Sequence, residues 1–331
     1  MASTKALETI AQFLLFLSIL SFFISYNDLE QAKFDRISWK YADFKRVSKR
    51  RSVSLRSGDE SRDKNKTRMY GIPKTGMKYV VIYNAVSKCG SRSLLSSLYS
   101  LYTPREVHVD VTRVLSIPTP YNASFLLRRV QSMKTPGFVS GHLPFNIYAR
   151  DDVVHISMIR NPLERLISLY YFNLYGDAGG LRNKEFDKRW QGKKFDSLEE
   201  LSNKDGYPQR QNLLWFFTGD ERVRDDPERA VALAKSNILN HFIFIGILEE
   251  YNASVAIFEK LLPQVMNGLP SAYNKTMTER RDMYRTVNRT TPSTKTIEML
   301  MENDKFLNYE FEIYYFVKQL FMELKKTFQI S

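Results

Sequence analysis

Lys88, Gly90, Ser91 and Ser93 stand close together in VVIYNAVSKCGSRSLLSSLYSL, residues 80–101, where an apolar run gives way to a helical pattern. A lysine ammonium, two hydroxyl donors and a glycine that lets backbone N–H groups approach a ligand are the parts of an anion site. A helix opening at Ser91 adds the positive end of its dipole. The order is not that of a Walker loop, because Val86–Ser93 lacks the first glycine of G-x-x-x-x-G-K-[ST] and its Lys-Ser/Thr step. An ordinary strand-to-helix connection capped by Ser91 would read the same in isolation.

A second segment, VVHISMIRNPLERLISLYYFNLYG at residues 153–176, sets Arg160 at the end of a buried run and Pro162 in the first turn of a helix. The planar donor fork of Arg160 suits a second phosphate, with Ser168 facing the same ligand, while Glu164 and Arg165 read as surface charge. Proton transfer needs a group that titrates near neutrality, and four histidines are available. His142, in SGHLPF, follows a short strand pattern and can take a proton from a hydroxyl. His108 and His155 lie within strand patterns and His241 at a helix-to-strand boundary, where structural roles are expected. With Cys89 the only cysteine, neither an internal disulfide nor a cysteine zinc cluster can form.

The elements that must carry these residues alternate. Strands are expected at 78–85, 106–111, 137–140, 153–159 and 242–247, and helices at 91–102, 124–133, 162–174, 227–239 and 250–262. Alternation of this kind predicts an α/β domain with a parallel sheet. Ile313, Phe316, Val317, Leu320, Phe321 and Leu324 form one stripe, predicting a late helix packed on the domain.

Upstream, residues 9–26 form a run just long enough to cross a thin bilayer, preceded by Lys5 and followed by Asp28 and Glu30. This predicts a type II anchor with a cytosolic tail at 1–8; the competing cleaved signal peptide lacks a clean small-x-small site near Ser21–Ser25. Residues 27–77 are charged, Ser-rich and aperiodic, as a stem would be, leaving 78–331 for a single folded domain. Of the net charge of +13, residues 1–78 hold +8, from 16 Lys/Arg against 8 Asp/Glu, so the domain is mildly basic and suits an anionic ligand. An anchor ahead of Lys45–Arg51 argues against nucleic acid as that ligand. Sequons at Asn65, Asn122, Asn252, Asn274 and Asn288 suit a luminal chain.

Taken together, YNAVSKCGSRS and IRNPLERLISLYYF resemble the donor loops of the membrane-bound carbohydrate sulfotransferases, and most closely those of the uronyl 2-O-sulfotransferases of heparan and dermatan sulfate. The resemblance runs from Lys78 to Phe328 through GHLPF, YNASVAIFEKLLP and TPSTKTI, and is weak over 178–209. It implies a P-loop-like sulfotransferase fold with a central parallel sheet flanked by helices. It also implies 3′-phosphoadenosine 5′-phosphosulfate as sulfuryl donor, no metal, a glycosaminoglycan acceptor and a Golgi membrane address, and leaves a homo-oligomer open. By position, the loop of Lys88, Cys89, Gly90, Ser91, Arg92 and Ser93 would take the 5′-phosphosulfate, and Arg160 and Ser168 the 3′-phosphate. Arg281, Thr286 and Arg289 would close over the nucleotide, and His142 would be the base, with Lys88 assisting the leaving group. Departures are Ser140 in place of the first histidine of a His-x-His pair, Ala85 in place of an arginine, and Cys89 in place of a threonine. These motivate an alternative, a degenerate member that binds nucleotide or glycan without turnover.

Overall fold

A computed structural model describes residues 70–74, 76–102, 108–111, 120–180, 197–198, 212–220, 222 and 225–330. The anchor expected at 9–26 and nearly all of the stem lie outside the described residues, among which no helix is long and apolar enough to cross a membrane.

Five parallel strands form one sheet: β1 (Val80–Ala85), β2 (His108–Val111), β3 (Gly137–Gly141), β4 (Val153–Ile159) and β5 (Phe242–Ile247), in the order β2-β3-β1-β4-β5. β1 is buried at every position, as a central parallel strand covered on both faces must be. The chain winds from β1 out to β2, back to β3, and then across β1 to β4. The winding direction therefore reverses beside β1, and ligands in open α/β sheets bind in the crevice at the carboxyl ends of the strands at such a reversal.

Among the described residues, the helices between strands are α1 (Ser91–Tyr102), α2 (Pro120–Ser132), α3 (Pro162–Tyr175), α4 (Leu213–Thr218) and α5 (Pro227–His241). After β5 come α6 (Tyr251–Leu261), α7 (Pro263–Met266), α8 (Leu269–Arg280), α9 (Thr294–Asn303) and α10 (Leu307–Thr327). On one side of the sheet Val80, Ile82 and Val139 pack with Leu126 and Val130 of α2 and with Leu143. α10 buries the expected stripe except for Leu324, which is half-buried, and Phe321 stacks on Phe244 of β5 at 5.9 Å.

Two expectations need revising. α2 starts at Pro120, four residues before the predicted helix, because a proline suits the first turn where its missing N–H is not needed. Arg165 is not surface charge: it is fully buried, 2.9 Å from the equally buried Glu310 of α10, whose Oε1 also accepts from the Leu213 backbone N–H at 2.7 Å. This carboxylate joins α3, α4 and α10.

Packing also starts earlier than the expected domain boundary at 78. Tyr70 is buried; its backbone N–H donates to the Leu239 carbonyl, and its hydroxyl accepts from the Ile245 N–H at 3.2 Å. Among the described strands β5 has only β4 beside it, so Tyr70 covers a strand edge that would otherwise present bare backbone.

Candidate active site

The turn from β1 into α1 is shaped by two left-handed residues, Lys88 at φ +64° and Gly90 at φ +77°. Glycine is required at the second for space as well as for φ: a Cβ there would meet Leu248 Cδ1 at 2.7 Å and Tyr251 Cε2 at 2.8 Å. The Gly90 carbonyl accepts from the Leu94 N–H and from the Tyr251 hydroxyl, which fastens the turn to α6. Ser91, Arg92 and Ser93 form the first turn of α1, where backbone N–H groups have no helical acceptor and can face an anion.

Lys88 reaches across to α3 and lays its Nζ 3.8 Å from the centre of the Phe172 ring. Burial, followed by the charge of Arg92, brings its pKa down to about 7, with Asp177 acting the other way. Arg92 pairs with the buried carboxylate of Asp177 and lies 5.3 Å from the Tyr284 ring, whose hydroxyl shares a 2.7 Å hydrogen bond with Ser96. Cys89 points the other way. It is fully buried, its Sγ 3.7 Å from the Ser87 carbonyl, and burial pushes its thiol up to about 12. With its thiol buried, Cys89 is left with its backbone to face a ligand.

Arg160 emerges at the carboxyl end of β4, as expected, with its guanidinium 2.9 Å from Glu164 Oε2. Arg289 donates to that same oxygen, so one carboxylate lies between the arginine expected on the 3′-phosphate and one expected to close over the nucleotide. Asn161 caps α3 by accepting the Glu164 N–H, and its own N–H is taken by Glu249 at 2.8 Å. Ser168 is buried in α3, nearly two turns in from Pro162.

The late segment closes over this region by backbone pairing. Ala178 N–H donates to Arg285 at 3.0 Å, Gly179 N–H to Met283 at 2.9 Å, and Asp177 and Thr286 form an antiparallel bridge. The Tyr171 and Thr290 hydroxyls are hydrogen-bonded beyond the bridge. Thr286 and Arg289 are therefore brought to α3. Arg281 opens the 3₁₀ turn Arg281–Tyr284.

His142 follows β3 directly, and its Nδ1 lies 2.6 Å from the Ala85 carbonyl. A carbonyl can only accept, so Nδ1 carries the proton and Nε2 keeps a lone pair. Burial lowers its pKa below 6.5, against the smaller opposing effect of the Ala85 hydrogen bond, so the ring is neutral at pH 7. Ser140 is buried in β3, where its Oγ has no hydrogen-bond partner. His155 is structural: enclosed at 3% exposure, it is kept neutral by burial, its pKa brought down to about 3.

Sequence reasoning missed Asn84, Glu164, Phe172, Asp177 and Tyr284 as members of the site. Asn84 lies inside the first motif, and its polarity in an otherwise apolar run was the available signal. The others act through partners distant in sequence. Among the described residues no group of His, Cys, Asp or Glu is placed to hold a metal ion.

A profile of the sulfotransferase family matches residues 75–321. The chain belongs to the sulfotransferase family. Human uronyl 2-sulfotransferase is 30% identical over 273 residues, covering 76% of this chain and 64% of the relative. Mouse heparan sulfate 2-O-sulfotransferase 1 is 29% identical over 269 residues, 74% of this chain and 71% of the relative. The chain thus spans a little under two thirds of the human relative's length, and the resemblance drawn from the two motifs is borne out at the level of family. Mouse sulfotransferase SULT7A1 complexed with PAP overlays at a TM-score of 0.36 and 11% identity, over 74% of this chain and 84% of that one.

Proposed function

We propose that this sulfotransferase moves a sulfuryl group from 3′-phosphoadenosine 5′-phosphosulfate to a hydroxyl of a glycosaminoglycan, the uronic acid 2-O being the position its relatives' names suggest. The observation that carries the reading is that His142 is anchored to Ala85, three residues before Lys88. A neutral base and an anion-binding cation are thereby fixed to the end of one strand.

The side chains present suit the donor's two anionic ends. Lys88, the N–H groups of the 88–93 turn and Arg92 would hold the 5′-phosphosulfate, and Arg160 and Arg289 the 3′-phosphate. In the reaction, the acceptor oxygen forms a bond to sulfur as the bond from sulfur to the bridging phosphate oxygen breaks. The hydroxyl proton goes to His142 Nε2, and Lys88 with the turn amides stabilises the charge appearing on the departing nucleotide. The anchor at 9–26, a Golgi address and a luminal domain belong to this proposal.

Incubating the full chain in detergent with labelled donor and a panel of desulfated glycosaminoglycans tests it. Label should enter the polymer in wild type and fall ~100- to 10,000-fold in His142→Ala, with nucleotide affinity kept. Equal turnover in that variant removes His142 from the mechanism. A second reading, binding without turnover, is favoured by Ser140 and by Ala85. Saturable nucleotide binding with no transfer to any acceptor would select it.

A further inference from the structure

Two hydrogen bonds cross between the ends of β1 and β3 in opposite senses. The His142 ring donates to the backbone of residue 85 at 2.6 Å, and the Asn84 Nδ2 donates to the Leu143 carbonyl at 2.9 Å, with Pro144 O at 3.4 Å. Each neighbour of one bond thus makes the other. Among the described residues the His142 side chain makes one hydrogen bond, to Ala85, so the angle of its ring depends also on where residues 143–144 place its backbone.

Asn84 is fully buried, and its amide has one productive orientation. Its Oδ1 is 2.7 Å from His155 Nδ1; turned over, it would set its oxygen against the carbonyls of Leu143 and Pro144 and its NH₂ against an imidazole N–H. His155 is in turn gripped by Phe145, Tyr148 and Phe242, with ring centroids at 5.1, 5.8 and 5.2 Å. Burial, and after it the charge of His241, keep the ring uncharged, against a smaller opposing hydrogen bond with the Asn146 backbone. An uncharged imidazole has a single N–H, and with the Asn84 Nδ2 committed to the Leu143 carbonyl, the Asn84 Oδ1 facing the ring places that N–H on Nδ1. On the same strand Ser157 donates to the Asn84 carbonyl at 2.7 Å, so the residue is fixed at both backbone and side chain.

We infer that Asn84 is a positioning residue for His142, holding through the Leu143 carbonyl the turn that carries the base, with His155 setting the direction of the Asn84 amide. The inference rests on the proposed role of His142, and it states that the ring of the base is aimed by a relay from β4 through β1 rather than by its own contact alone. Burial, opposed by the Ala85 hydrogen bond, sets the His142 titration. Freeing the turn would let water reach the ring and move its pKa up towards 6.5.

The test is an NMR titration of the imidazoles in the full chain, with His142 assigned by its loss in His142→Ala, alongside pH–rate profiles at saturating donor. In Asn84→Ala the His142 titration should move up by ~0.5 unit or more, and the acid limb of the rate profile should move with it. Turnover should fall ~10-fold or more with nucleotide affinity unchanged. His155→Leu should reproduce the shift, whereas His155→Gln, which retains an N–H donor for Asn84, should leave His142 at its wild-type value. If Asn84→Ala fails to fold, judged by loss of nucleotide binding, the two His155 variants decide alone. An unmoved His142 titration in Asn84→Ala, or identical behaviour of His155→Leu and His155→Gln, overturns the inference. A wild type that never transfers sulfuryl groups would instead sink the functional reading, and the NMR shift would still be measurable.

Discussion

The Lys88 ammonium sits over the face of the Phe172 ring, 3.8 Å from its centre, with the Arg92–Asp177 pair beside it. Its pKa near 7 follows from burial and the Arg92 charge, so at pH 8 most of the ligand-free protein carries a neutral Lys88. A bound anion favours the ammonium and raises the pKa again. Nucleotide binding at pH 8 should therefore take up a proton. Calorimetry in two buffers of different ionisation enthalpy reads this directly; uptake should fade below about pH 6 and vanish in Lys88→Ala, whose turnover should drop ~100-fold or more. No buffer dependence at pH 8 would show that Lys88 is charged throughout.

Glu164 accepts from both Arg160 and Arg289, so a 3′-phosphate must compete with it. Glu164→Gln should tighten binding of adenosine 3′,5′-bisphosphate by a few-fold, a modest gain because the carboxylate is 44% exposed and surface pairs are weak. Arg160→Ala should move affinity the opposite way by ~1.5–3 kcal/mol. Titration of both variants against wild type checks the pair of signs, and weaker binding in Glu164→Gln would mean that the carboxylate organises the arginines instead of competing.

Glu310→Ala should cost ~3–5 kcal/mol in stability, since it leaves the buried Arg165 charge and the Leu213 N–H without their acceptor. Urea denaturation measures the loss, and folded protein should bind nucleotide normally. A cost below about 1 kcal/mol would place water beside Arg165.

Ser140→His, the change that would rebuild a His-x-His pair, should destabilise rather than accelerate. Ser140 is 1% exposed on β3 and an imidazole is far larger than its hydroxymethyl group, so overpacking should cost ~1–3 kcal/mol. Ser140→Ala should be neutral or raise the melting temperature, because the Oγ it removes has no partner. A faster enzyme with unchanged melting in Ser140→His would show that β3 yields where its packing says it should not.

The sheet and the Lys88 turn were legible because β1, β4 and β5 are short apolar runs, and the longer connecting helices carry their own periodicity. Arg165 was not legible. Adjacent charges at 164 and 165 look alike in sequence, yet neighbouring positions on a helix point in different directions, and Arg165 meets a partner 145 residues away. Asp177 and Tyr284 read as loop residues for the same reason: their meaning comes from Arg92, which joins them only once the chain has closed. α8 escaped notice because LPSAYNKTMTER buries only Leu269 and Thr276 and shows little apolar periodicity.

The hydroxyl of Tyr70 bears on where this chain can be cut for expression. A soluble fragment begun at 78, where the sequence first looks folded, would uncover the Ile245 N–H along the outer side of β5 and invite a neighbouring molecule to dock there strand to strand. Fragments that keep Tyr70 should stay monodisperse at concentrations where the shorter ones precipitate, a difference that light scattering on the two would show.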